Sequence, residues 1–199
     1  MTVPTYTVIG STGSRTARVL WALEEIGHPY THVPAEPRSK GALEFNLAGK
    51  VPILLVDGAP VTDSTAIVQF LADRHGQLTY PAGTLARAHQ DSLTQFLLDE
   101  FDAALWLAAR HSFILPKEIR QPAIKESLKW EFQRSQKTLV SRMSDGPFLM
   151  GDMLTIPDII ATHCGVWATQ AHFEITEPRF RDYIDRLKQR DAFRRAMVR

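Results

Sequence analysis

A chain of 199 residues with 44% hydrophobic side chains has room for one large folded domain or two small ones. Its 23 basic and 22 acidic residues leave a formal net charge of +1, so there is no electrostatic case for nucleic acid or an anionic membrane as partner. The lone cysteine, Cys164, excludes an internal disulfide and fits a reducing compartment. No apolar run reaches membrane-spanning length, and the opening MTVPTYTVIGSTGS lacks the charged and apolar regions of a signal peptide. The expectation is a cytoplasmic protein with no membrane partner.

In chain order, Tyr6, Thr7, Val8 and Ile9 predict a first strand ending at Gly10. Ser11-Thr12-Gly13-Ser14 is a loop, and Ser14 or Gly13 can cap the helix predicted over 15–26, which Gly27 closes. A second strand follows over 30–33, then a polar stretch with a short helix around 41–45. Pro52 precedes a strand over 53–56, Asp57-Gly58 is a hairpin turn signal, and 59–62 is the return strand. Asp63-Ser64-Thr65 then opens an amphipathic helix running to about His75.

The turn residues of 77–83 mark a domain boundary, giving domains over 1–77 and 84–199. Beyond it the pattern is helical throughout. One long helix is expected over 85–111 and a second over 118–144, starting after Pro116. Thr155 and Asp158 form a capping box with Pro157 in the first turn of an apolar helix, and one or two further helices are expected over 178–197. His28 and His32 are four apart, but Pro29 denies them a shared helix face, so no metal site is expected. No CxxC, P-loop or GxGxxG occurs.

The chemistry gathers around residues 50–68. Pro52 is a cis candidate, which would turn the N–H and C=O of Val51 outward to pair with an extended peptide. The helix opening at Asp63 and Ser64 attracts a carboxylate. A peptide backbone gripped at one end and an amino-acid carboxylate at the other suit a small γ-linked tripeptide.

Val51-Pro52, the hairpin and Asp63-Ser64-Thr65-Ala66-Ile67 resemble the glutathione-binding signature of glutathione S-transferases. The Ser-rich loop before VLWALEEIG and the G-D-x-x-T-x-x-D-I pattern at 151–159 are similar to that family too, so the resemblance covers nearly the whole chain. It implies an α/β thioredoxin-like N-terminal domain followed by an all-α helical C-terminal domain. It also implies a homodimer with the cosubstrate glutathione, no metal, and a small hydrophobic electrophile as second substrate.

By the same resemblance, Val51 would pair with the cysteinyl part of glutathione beside Pro52, Asp63 would bind the γ-glutamyl ammonium, and Ser64 its carboxylate. Lys50, or a basic residue of 37–40, would meet the glycyl carboxylate. The free thiol has a pKa of ~8.5, so the site must favour the thiolate. The usual serine slot falls on Gly13, which leaves Ser14, then Ser11 and Thr12, as donors, and Arg15 as an electrostatic alternative. Tyr6 lies in the strand itself. Trp106, Arg110, His111 and Phe113 are expected near the electrophile. The rival readings are a binding or scaffold protein, favoured by Gly13 in the slot, and a glutathione-dependent isomerase, peroxidase or dehalogenase. The absence of a loop cysteine argues against thiol-disulfide exchange.

Overall fold

The computed structural model describes residues 4–198; Met1, Thr2, Val3 and Arg199, which fall within the expected domain bounds, lie outside them. The chain forms two compact units. One is built on the chain up to Pro81 together with the segment from Gln189 on, the other on Ala82–Lys188. The first is thioredoxin-like α/β and the second all-α.

In the first unit, β1 (Tyr6–Ile9), β2 (Thr31–Val33), β3 (Ile53–Val56) and β4 (Ala59–Thr62) make a mixed sheet in the order β2-β1-β3-β4. β1 pairs parallel to β2 and antiparallel to β3, with Ile9 opposite Ile53. Asp57 and Gly58 both take positive φ, as the two-residue turn from β3 to β4 demands, and Pro60 is tolerated because β4 is an edge strand. Because β1 side chains alternate, Ile9 packs with Ala42 of α2 (Lys40–Phe45) on one face. Tyr6 and Val8 point to the other, where Tyr6 reaches His75 at the end of α3 (Ser64–His75).

α1 (Thr16–Ile26) is buried around most of its circumference, which explains its run of apolar residues. One side packs on α3. The other is covered by α9 (Asp191–Met197), so residues from Gln189 on, grouped by their sequence with the helical part, complete the first unit. Phe193 sets its edge on the Trp21 ring at 5.0 Å. Arg190 grips Glu25 through Nε (2.7 Å) and Nη2 (2.8 Å), and Trp21 Nε1 donates to the same carboxylate at 2.8 Å. Glu25→Ala should therefore lower stability by about 2 kcal/mol, since it leaves the indole N–H and the guanidinium without their acceptor. Urea unfolding would show this as a fall in midpoint at unchanged m-value.

In the second unit, helix runs without interruption from α4 (Leu85–Leu97) through a π-helical stretch (Leu98–Asp102) into α5 (Ala103–Ala109) and a second π stretch (Arg110–Ile114). Leu93, Leu97, Phe101 and Leu105 are all buried at intervals of four. In a pure α-helix each such step drifts by about 40°, and a π turn absorbs that drift. The next helix, α6, spans Ile124–Arg142 and starts later than the sequence predicts. Pro122 disfavours helical backbone at Gln121, so only a 3-10 turn forms at Lys117–Ile119. Arg120 instead donates to the carbonyls of Leu115, Ser112 and Phe113, satisfying the end of the preceding helix.

α7 (Ile156–Gln170) and α8 (Pro178–Lys188) complete this unit, with Phe101 packed edge-on against Phe132 and Phe180 at its centre. Cys164 is a buried free thiol in α7. Among the described residues no helix is long and apolar enough to cross a membrane.

Candidate functional site

The Val51–Pro52 peptide is cis and leads directly into β3. The approach to it is pinned by short-range bonds: the Arg38 N–H donates to the Gly49 carbonyl at 2.7 Å, and Asn46 Nδ2 donates to the Lys50 carbonyl at 2.9 Å. Lys50 is exposed. Among the described residues, neither the N–H nor the C=O of Val51 is claimed by a hydrogen bond.

At the start of α3, Asp63 takes φ 73°, a left-handed conformation uncommon for a side-chain-bearing residue. That backbone lets its Oδ1 accept from the N–H groups of Thr65 (2.9 Å) and Ala66 (3.1 Å), leaving Oδ2 open. Ser64 is 3% exposed, and its own N–H is unused among the described residues. Beneath it, the guanidinium of Arg18, itself 1% exposed, approaches Ser64 Oγ at 3.5 Å. A helix N-terminus over a buried cation favours a negative charge.

Between β1 and α1, Ser14 Oγ donates to the Ser11 carbonyl (2.7 Å), lies 2.8 Å from Thr16 Oγ1 and accepts the Thr16 N–H at 3.2 Å. It is a helix-opening side chain whose proton is engaged. The hydroxyls of Ser11 and Thr12 are half-buried and take no hydrogen bond among the described residues. Arg15 is half-buried and Gly13 exposed. The Tyr6 hydroxyl belongs elsewhere, 3.0 Å from His75 Nε2 at the far end of α3.

Gly10 brings these parts together. A Cβ there would stand 2.1 Å from Thr16 Oγ1 and 3.0 Å from Val51 Cβ, so the loop and the cis-proline segment meet only across a glycine. His32 Nε2 is 2.8 Å from the Gly10 carbonyl and steadies the same corner. Gly10, Thr16, Arg18 and His32 were not singled out for the site by their sequence. The one usable signal was an arginine within the apolar run of α1. Trp106, Arg110, His111 and Phe113 all lie in the second unit; His111 Nδ1 accepts the Gln121 N–H at 3.0 Å and Phe113 is exposed. Among the described residues no group of three His, Cys, Asp or Glu side chains is placed to hold a metal ion.

The family model for the glutathione S-transferase N-terminal domain matches residues 13–74, the stretch that carries all of this site but Gly10, Ser11 and Thr12. A maize protein, "Glutathione transferase GST 23", is 30% identical over 75% of this chain and 66% of its own length. A rice "Elongation factor 1-gamma 1" is 26% identical over 75% of this chain but only 40% of its own length. The chain thus spans less than two thirds of these curated relatives. A sphingomonad glutathione S-transferase solved in complex with glutathione has the same fold, with a TM-score of 0.82 at 22% identity, over 96% of this chain and 97% of that one. With the N-terminal domain model matched over residues 13–74 and the maize transferase 30% identical over three quarters of the chain, this chain belongs to the glutathione S-transferase family.

Proposed function

We propose that this chain is a glutathione transferase that binds glutathione along the Val51–Pro52 edge and stabilises its thiolate for attack on a small hydrophobic electrophile. The observation that carries the reading is the pairing of two sets of uncommitted polar groups. The Val51 N–H and C=O stand ready for a peptide backbone, and the Ser64 N–H and hydroxyl lie over buried Arg18 for a carboxylate. Asp63 uses Oδ1 to cap α3 and keeps Oδ2 for the γ-glutamyl ammonium. Lys50, with Arg38 or Lys40, would meet the glycyl carboxylate.

The thiol would then lie at the β1–α1 loop. There Ser11 and Thr12 hold uncommitted hydroxyls, and Arg15 can add positive potential. Ser14 would have to release the Ser11 carbonyl to donate to sulfur. The sphingomonad relative's bound glutathione supports the choice of ligand. We take the active species to be a homodimer, which light scattering on the eluting protein would test.

Titration calorimetry with glutathione, alongside conjugation of a generic aryl halide, is the direct test. Ser64→Ala should weaken glutathione binding by roughly 1–3 kcal/mol; unchanged affinity in the folded variant removes Ser64 from the site. Ser11→Ala or Thr12→Val should raise the thiol pKa of bound glutathione, read from thiolate absorbance. Ser14→Ala should act mainly on α1, costing about 1 kcal/mol of stability. A second reading is a glutathione-fold binding protein without turnover. It is favoured by Gly13 in the usual serine slot and by the likeness to elongation factor 1-gamma. Binding without conjugation across several electrophiles would select it.

A further inference from the structure

At the opposite end of β1 from the glutathione edge, a cluster of imidazole and phenol rings is left unused by the proposed chemistry. Tyr6, 2% exposed, sets its hydroxyl 3.0 Å from His75 Nε2. The His28 ring lies 4.6 Å from the Tyr6 ring and 5.0 Å from that of His75, so three rings from β1, the α1–β2 turn and the last turn of α3 meet. His28 Nδ1 is 2.8 Å from the Pro29 carbonyl, which can only accept, so Nδ1 carries the proton. Its Nε2 is then a bare acceptor, buried and without a hydrogen-bond partner among the described residues.

We propose that Tyr6, His28 and His75 form an acid-sensitive clasp, which fastens the last turn of α3 and the α1–β2 turn to β1 while the His75 imidazole is neutral and loosens when it is protonated. A proton on His75 would place a cation 5.0 Å, between ring centres, from the His28 ring and next to Arg74. Among the described residues Asp57 of the β3–β4 turn faces Tyr6, and its carboxylate already accepts from the Thr5 N–H (2.8 Å) and hydroxyl (3.0 Å). The C-terminal end of α3 favours positive charge, but burial first, then His28 and Arg74, outweigh it and hold His75 below its ordinary value. The unfolded chain therefore takes up this proton more readily than the folded one. The stabilisation is complete above about pH 6.5 and is lost as pH falls from there through the folded-state value. This inference does not rest on glutathione binding.

The test uses the full chain and its His28→Asn and His75→Gln variants, melted by circular dichroism between about pH 5 and 8, with ring-proton titration of the histidines by NMR. Wild type should lose on the order of 3 °C more in Tm across that range than either variant. Its His75 ring should titrate below the ordinary 6.5 and move back towards it in His28→Asn. Parallel melting profiles in all three proteins would overturn the clasp. Should a variant fail to fold, the wild-type titration decides alone: a His75 midpoint at or above 6.5 rejects the proposal.

Discussion

Gly10→Ala should cost about 3–5 kcal/mol of stability and reduce conjugation kcat/KM by about 100-fold in whatever fraction folds. Two terms add. The residue sits at φ +145°, where a side chain is strained whatever space surrounds it. The new methyl would also lie 2.1 Å from Thr16 Oγ1, 3.1 Å from Thr16 Cβ and 3.0 Å from Val51 Cβ. Thr16 is fully buried in the first turn of α1 and has nowhere to retreat, so the loop, the Val51 segment or both must shift. Either shift moves a part of the proposed glutathione site relative to the other.

Gly13→Ala is the matching control, because a Cβ there meets nothing within 4 Å and should change stability by less than about 0.5 kcal/mol. Adding Thr16→Ala to Gly10→Ala should recover part of the loss by removing the closest contact. Wild-type glutathione affinity in folded Gly10→Ala would mean that the corner does not set the site.

In the second unit, Asp158→Ala should be the most damaging single change, lowering stability by about 3–5 kcal/mol and Tm by roughly 10 °C. The Asp158 carboxylate is fully buried and accepts four hydrogen bonds: from the Leu149 N–H (2.8 Å), the Thr155 N–H (2.7 Å), the Thr155 hydroxyl (2.8 Å) and the Tyr183 hydroxyl (2.5 Å). Burial pushes its pKa up, while those four donors pull it down. Removing the carboxylate strands all four donors at once, and they tie α7 to the segment before it and to α8. Asp158→Asn keeps an acceptor for one side of the network and should fall between wild type and alanine in a thermal melt. Equal melting of Asp158→Asn and Asp158→Ala would show that packing, not hydrogen bonding, holds the helix.

Much of this could be seen in the chain beforehand because the relevant signals are local. The hairpin is spelled by Asp57-Gly58 between apolar runs, α3 by Asp63 before its first turn, α7 by Thr155 and Asp158 three residues apart. The Val51–Pro52 and Asp63-Ser64 parts of the candidate site were legible for the same reason: the backbone groups proposed to bind there are positioned by short motifs. What escaped depends on contacts between distant residues. Nothing near Arg18 says that its guanidinium will lie under Ser64, 46 positions on. The Tyr6–His75 contact spans 69 positions. The late start of α6 did have a local cause, Pro122, but an apolar pattern continuing on both sides of it masked the break. The repeat of buried residues at intervals of four was present too, and points to π turns only when its drift is followed along the helix.

The return of α9 to α1 carries a consequence for how the molecule is made. Arg190 meets Glu25 across 165 positions. Until a ribosome has synthesised and released that part of the chain, one side of α1 is bare, with Trp21 uncovered and Glu25 lacking its guanidinium. The sheet and its helices therefore emerge from the exit tunnel before the helical unit but are completed after it has been made. A nascent chain halted before Phe193 would present an exposed indole and its apolar surroundings to chaperones, whereas one in which α9 has docked would not.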